Sequence, residues 1–164
     1  MKQRFVYLGL ISIISCHGNF VSTGDLQSQI DSLKEQVAKS YKPGLGEFMS
    51  SIQVHHEKLW FAGNAQNWRL ADFEIHEIGE AVDDIKTFAS SRSETKYVTM
   101  LEAPIDSLSN SIRQRNLQSF KQNFILLTNT CNNCHAAVEY NFNKIKIPDT
   151  PPFSNQVFKI DSIK

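Results

Sequence analysis

The sequence has no surplus of charge. Seventeen Lys plus Arg stand against seventeen Asp plus Glu, which excludes a protein that holds nucleic acid through a clustered positive excess. Glycine and proline are scarce, seven and five in 164 residues, so the chain is not of low complexity. Cysteine is scarcer still, and its count of three is odd, which excludes a pure disulfide framework. Strand alternation and internal repeats are missing. So are a nucleophile–base pair, a phosphate-cradling loop and a second close pair of metal ligands, and no enzyme is expected. What is present is 41% hydrophobic and 10% aromatic residues at the length of one domain, enough for a packed core.

The start of the chain carries the marks of export. Lys2 and Arg4 precede an apolar run from Phe5 to Ile14, with no acidic residue before Cys16. That run is far short of the roughly 20 residues that span a bilayer, and fits the apolar core of a signal peptide. Ile13-Ile14-Ser15-Cys16 resembles the lipobox of bacterial lipoproteins. The resemblance implies cleavage of residues 1–15, lipid on Cys16 and a membrane-anchored place on the periplasmic face. The alternative is an ordinary secretory signal followed by a chance cysteine. Cleavage there removes two basic residues and no acidic one, leaving fifteen against seventeen.

Beyond the leader, the apolar residues recur at helical spacing. His17 to Gly24 reads as a tether. Asp25 is placed to cap a helix carrying Leu26, Ile30, Leu33 and Val37, which Tyr41-Lys42-Pro43-Gly44 breaks. Leu45, Met49, Ile52, His56 and Leu59 form a second stripe ending at Gly63. Asn64 to Asn67 reads as a turn before a third stripe, Trp68, Ala71, Ile75, Ile78, Val82 and Ile85. Leu101, Ile105, Leu108 and Ile112 form a fourth, with Pro104 in its first turn, where a missing N–H is tolerated. The longest stripe runs Leu117, Phe120, Phe124, Leu127, Cys131, Cys134, Val138, Phe142, Ile145, and Pro148, Pro151 and Pro152 stop it. The expectation is an all-α protein: tether and N-terminal helix over 16–44, a four-helix bundle over 45–147, and a Pro-rich tail over 148–164, with room for one short extended piece.

Cys131-Asn132-Asn133-Cys134-His135 has the spacing used for covalent haem attachment. Three and four residues make about one helical turn, so positions 131, 134 and 135 share a face. Two thiols there can add to the two vinyl groups on one porphyrin edge, while the adjacent imidazole reaches the iron. Other uses of the motif compete. A redox Cys-x-x-Cys pair belongs near a strand-to-helix turn, and this chain has no βαβ pattern. A zinc site needs two more ligands; His55-His56 are adjacent and point about 100° apart on a helix. A disulfide would join no separate elements. With haem the cysteines are all used: one for lipid, two for thioethers.

A Cys-x-x-Cys-His on the last of four helices resembles the class II c-type cytochromes, the cytochrome c′ group, over about Leu45 to Ile147. The resemblance implies one haem c, with Cys131 and Cys134 as tethers and His135 as the proximal iron ligand. The extra N-terminal helix and the tail depart from that pattern. His56-Glu57-Lys58-Leu59-Trp60-Phe61-Ala62-Gly63, with Pro152-Phe153-Ser154-Asn155-Gln156, is similar to a small group of bacterial haem-motif proteins, a resemblance that implies no activity.

In the cytochrome c′ group the distal residue comes from the first bundle helix, here Leu45 to Ala62. On a helical wheel Met49, Gln53, His56 and Trp60 share its inward face, and His55 turns away. His56 and Met49 are therefore the distal candidates, and Trp60 a candidate wall of the haem pocket. A satisfied core histidine and a core-filling methionine are the bland alternatives. His76, beside Glu74, Glu77 and Glu80, reads as solvated. With Asp83 and Asp84 those glutamates form an acidic face that either simply meets solvent or steers a basic partner. The function expected is an exported monohaem c-type cytochrome that carries electrons, with a redox protein, a membrane and a second copy of the chain as candidate partners. The alternatives are a five-coordinate gas-binding or sensing haem protein, and a haem-free structural lipoprotein.

Overall fold

The computed structural model describes residues 22–40, 43–153 and 155–159. The expected leader 1–15, the expected lipid site Cys16, most of the tether including His17, and the last five residues of the tail lie outside the described residues. Among the described residues the regular structure is helical throughout, as expected for an all-α chain. None of these helices is long and apolar enough to cross a membrane.

The chain divides into two compact units after Val37. The described part of the first is most of α1, Thr23–Ser40. Ser22 Oγ accepts the Asp25 N–H at 3.1 Å, so Ser22 caps this helix rather than the expected Asp25. Asp25 lies one turn further in, where its charge still meets the positive end of the helix dipole.

The second unit holds α2 (Leu45–Asn64), α3 (Trp68–Phe88), a 3₁₀ segment (Ser93–Leu101), α4 (Glu102–Arg113) and α5 (Leu117–Ala137). Their stripes bury one core, with Leu59, Ala71, Ile85, Leu108, Phe120 and Phe124 fully enclosed. α2 packs chiefly on α3, and α4 chiefly on α5, while α3 meets α4 and α2 meets α5. The 3₁₀ segment was not foreseen. Its apolar Val98 and Leu101 are buried, and Thr95 Oγ1 donates to the Ala89 carbonyl at 2.6 Å, which ties the segment to the end of α3. Pro104 lies in the first turn of α4, as expected.

Three helices end alike. After α2, α4 and α5 the chain passes through a left-handed residue, Gln66 (φ 57°), Arg115 (φ 52°) and Glu139 (φ 64°). The next N–H then reaches back across the last turn: Asn67 to the Ala62 carbonyl at 2.9 Å, Asn116 to Ser111 at 3.0 Å and Tyr140 to His135 at 2.7 Å. These are Schellman ends. Two of the following residues immediately cap the next helix, Asn67 accepting from the Leu70 N–H and Asn116 from the Ser119 N–H. That is why α2–α3 and α4–α5 are joined by such short links.

The end at Glu139 corrects the sequence reading of the last helix. Val138, Phe142 and Ile145 continue its apolar period, yet α5 stops at Ala137. The chain reverses there and runs back as an irregular segment. Farther on, Asn67 Nδ2 donates to the Phe158 carbonyl at 3.1 Å, the Phe61 and Phe158 rings lie 5.6 Å apart, and Lys58 sits over the Phe153 ring. The described tail thus returns beside α2, and no extended pairing forms in it.

Candidate functional site

α5 and α2 bring the sequence-marked residues together. A cavity of about 250 Å³ is bordered by Met49, Gln53 and His56 from α2 and by Cys131, Cys134 and His135 from α5. Ile52, Leu101 and Ile145 complete its apolar lining. A second cavity, about 350 Å³, is also bordered by Met49, Cys134 and His135, together with Val98, Arg92 and Tyr140. Met49 and His135 therefore stand on both cavities, and His56 on one.

Cys131 and Cys134 are free thiols. Burial, and then the neighbouring Cys134, pushes the Cys131 thiol up to about 12, and burial raises Cys134 as well. Reactive redox cysteines have the opposite property, a depressed pKa that exposes thiolate. The Cys134 thiol points at the Tyr97 carbonyl, 3.7 Å away. The pair is held neutral, the opposite of a pair poised for disulfide exchange.

His135 Nδ1 lies 2.6 Å from the Asn143 carbonyl oxygen. A carbonyl can only accept, so Nδ1 carries the proton and donates it. In the neutral ring, Nε2 is left with its lone pair, the arrangement a metal-bound histidine requires.

His56 is 3% exposed, and desolvation lowers its pKa to about 4, so the ring is neutral near pH 7. Its Nε2 lies 2.8 Å from Thr128 Oγ1, and Thr128 donates its own proton to the Phe124 carbonyl at 2.9 Å. Nε2 must therefore be the donor. The ring also packs on Phe124, with centroids 4.4 Å apart. Trp60 borders neither cavity. It packs against Phe124 at 4.9 Å and Phe120 at 6.4 Å, so it supports the wall behind His56.

The wheel placed the remaining histidines unevenly. His76 is exposed and 3.1 Å from Glu80, as a solvated residue should be. His55 does not simply face water: its Nδ1 lies 2.7 Å from Glu74 Oε2. Glu74, expected on the acidic solvent face, is fully buried, and its Oε1 has no hydrogen-bond partner. The correction has a geometric source, since Glu74 falls within about 20° of the edge of the α3 apolar stripe. Among the described residues no three His, Cys, Asp or Glu converge to hold a metal ion by themselves. A zinc site completed by His55-His56 is thus not assembled there. Haem iron makes no such demand, because the porphyrin supplies four of its ligands.

Three further residues of the site were not singled out in the sequence. Asn132 Nδ2 donates to the Ile145 carbonyl at 2.9 Å, and the Ile145 N–H donates back to Asn132 Oδ1 at 2.8 Å. Asn143 supplies the carbonyl for His135, and Thr128 holds His56. No periodicity marks them; the amide at position 132, inside the motif, was the only visible sign. Comparison with known protein families, with curated proteins and with solved structures yields no match to this chain.

Proposed function

We propose that this chain is an exported, lipid-anchored c-type cytochrome that carries electrons to a redox partner protein through one covalent haem. The reading takes α2 to α5 as a four-helix bundle of the cytochrome c′ kind, α1 as its additional helix, and residues 1–16 as leader and lipid site. The observation that supports it best is the state of His135. Its Nδ1–H is given to a backbone carbonyl, and its other nitrogen is left with a lone pair beside a cavity that two neutral thiols border.

Cys131 and Cys134 would hold the haem. In each attachment the S–H bond and the vinyl π bond break, and an S–C bond forms; the hydrogen goes to the other vinyl carbon, with no oxidant or reductant consumed. When bound, the haem supplies the one-electron couple of its iron. The chain's part is then positional. The Asn143 carbonyl orients His135 and raises the basicity of its ring, and Ile52, Leu101 and Ile145 keep water from the cavity. Met49, which stands on both cavities and has no hydrogen bond to give up, would be the better second protein ligand for the iron. His56 would have to surrender Thr128.

That commitment of His56 is also what favours the second reading. If Met49 does not bind, the iron would have an open position and the protein would serve as a gas binder. A pyridine haemochrome spectrum of the purified exported protein tests the main proposal. An α band at the position of thioether-linked haem is expected, and Cys131→Ala or Cys134→Ala should leave at most one thioether. Absence of the band sinks the haem reading and leaves a helical lipoprotein.

A further inference from the structure

We infer that Asn132 is a positioning residue for His135, acting through the backbone of residues 143–145. The inference rests on the proposed role of His135 as a ligand, but its core, control of the His135 ring, stands on hydrogen bonds alone. Asn132 and His135 are three apart on α5, so they share a face and lie about 4.5 Å apart along the axis. The returning segment answers in reverse order: Ile145 meets Asn132, and the Asn143 carbonyl meets His135. One helix face thus grips the segment at two points, two residues apart.

The two grips differ in kind. Asn132 takes both the N–H and the C=O of Ile145, so its amide holds both backbone polar groups of that residue and fixes it in position and direction. His135 has a single bond, to a carbonyl on a segment that is otherwise irregular, and Asn143 itself is exposed. The Asn143 N–H bonds to the Tyr140 carbonyl at 3.0 Å, which closes the turn from the other side. The Asn143 carbonyl is thus held between the helix end at Tyr140 and the clamp at Ile145. Without the clamp one of these anchors is gone, and the carbonyl no longer fixes which nitrogen of His135 carries the proton.

The test uses the full-length exported protein, native and as Asn132→Ala, with Asn123→Ala as control. Asn123 is also on α5 and also bonds polar groups, the Ser107 carbonyl and Ser111 Oγ, but lies away from the motif. The readouts are the exchange rate of the His135 Nδ1 proton by nitrogen-15 NMR and, where haem is present, the reduction potential. N132A should exchange about tenfold faster, the factor expected for one or two lost hydrogen bonds. Its potential should rise, because a less basic imidazole stabilises the ferric state less. The isosteric variant Asn132→Asp keeps the acceptor for the Ile145 N–H and loses the donor to its carbonyl, so its rate should fall between the other two. A native exchange rate in N132A, or in N132D should N132A not fold, overturns the inference, as does equal acceleration in N123A. The haemochrome spectrum is read on the same samples. A missing haem defeats the proposed function while the exchange rates still decide the role of Asn132.

Discussion

Gly63 is buried in the last turn of α2, where the Phe120 ring from α5 lies directly on the backbone. A Cβ built on Gly63 falls inside the van der Waals surface of that ring, touching Cζ, Cε1 and Cε2. Gly63→Ala therefore sets two effects against each other. Alanine in a helix interior gains about 1 kcal/mol over glycine. Overpacking a closed core costs about 1–3 kcal/mol, and more when the neighbour cannot yield. Phe120 has little room, being fully buried with Trp60, Trp68 and Phe124 around it at 6.4, 6.2 and 6.0 Å. The clash should win, with a net loss of about 2 kcal/mol, the upper part of the overpacking range less the helix gain. Urea denaturation of the purified protein would read this as a lower midpoint at unchanged slope. Phe120→Leu in the Gly63→Ala background should recover part of the loss, since the shorter side chain leaves the new methyl unopposed. A Gly63→Ala protein as stable as the native one would refute the close approach of Phe120 to the α2 backbone.

Three other perturbations follow from the site. His56 has an ordinary pKa of 6.5 and a folded value of about 4, so above pH 6.5 both states are neutral and stability is unaffected. As pH falls from 6.5 toward 4 the unfolded chain takes up a proton that the folded one refuses, costing about 3 kcal/mol in all. His56→Gln should remove that acid limb, and an identical limb in the variant refutes the assignment. Met49→Ala should turn a low-spin ferric spectrum high-spin and open the iron to cyanide, while His76→Ala should do neither; a native protein already high-spin refutes Met49 as ligand. Cys16→Ser should abolish incorporation of labelled fatty acid and release the protein from membranes, since anchoring rests on about 0.8 kcal/mol per buried CH₂. A mature N-terminus at another residue defeats that reading.

The helices of the second unit were legible because burial writes a 3.6-residue period into sequence. Leu45 to Gly63 and Trp68 to Ile85 show it, and the asparagines between them mark the turn. Two things escaped for reasons that are also physical. An apolar period says which side chains one helix face would gather, not whether anything covers them, so Val138, Phe142 and Ile145 read as helix although Phe142 is 79% exposed. The helix end is decided by Glu139 adopting a left-handed backbone, which glycine would have signalled and glutamate does not. Charge misled in the same way at Glu74, where His55 from another helix supplies a partner that no local pattern shows. Cys131, Cys134 and His135, singled out by spacing alone, do border one cavity. The hydrogen bonds that set the state of His135 and His56 join residues 8 and 72 positions apart, and separations of that kind leave no trace in a linear pattern.

The returning segment also bears on when the proposed haem would be attached. Ile145 and Asn143 border the same cavity as Cys131, Cys134 and His135, so once seated they narrow the way to the two thiols. They follow the thiols in the chain. On the proposed reading, attachment by another protein, which would be too large for a cavity of about 250 Å³, would come before residues 143–145 seat. Seating of the segment would then work as a latch, dividing a maturation phase with the thiols open from a working phase with the thiols covered.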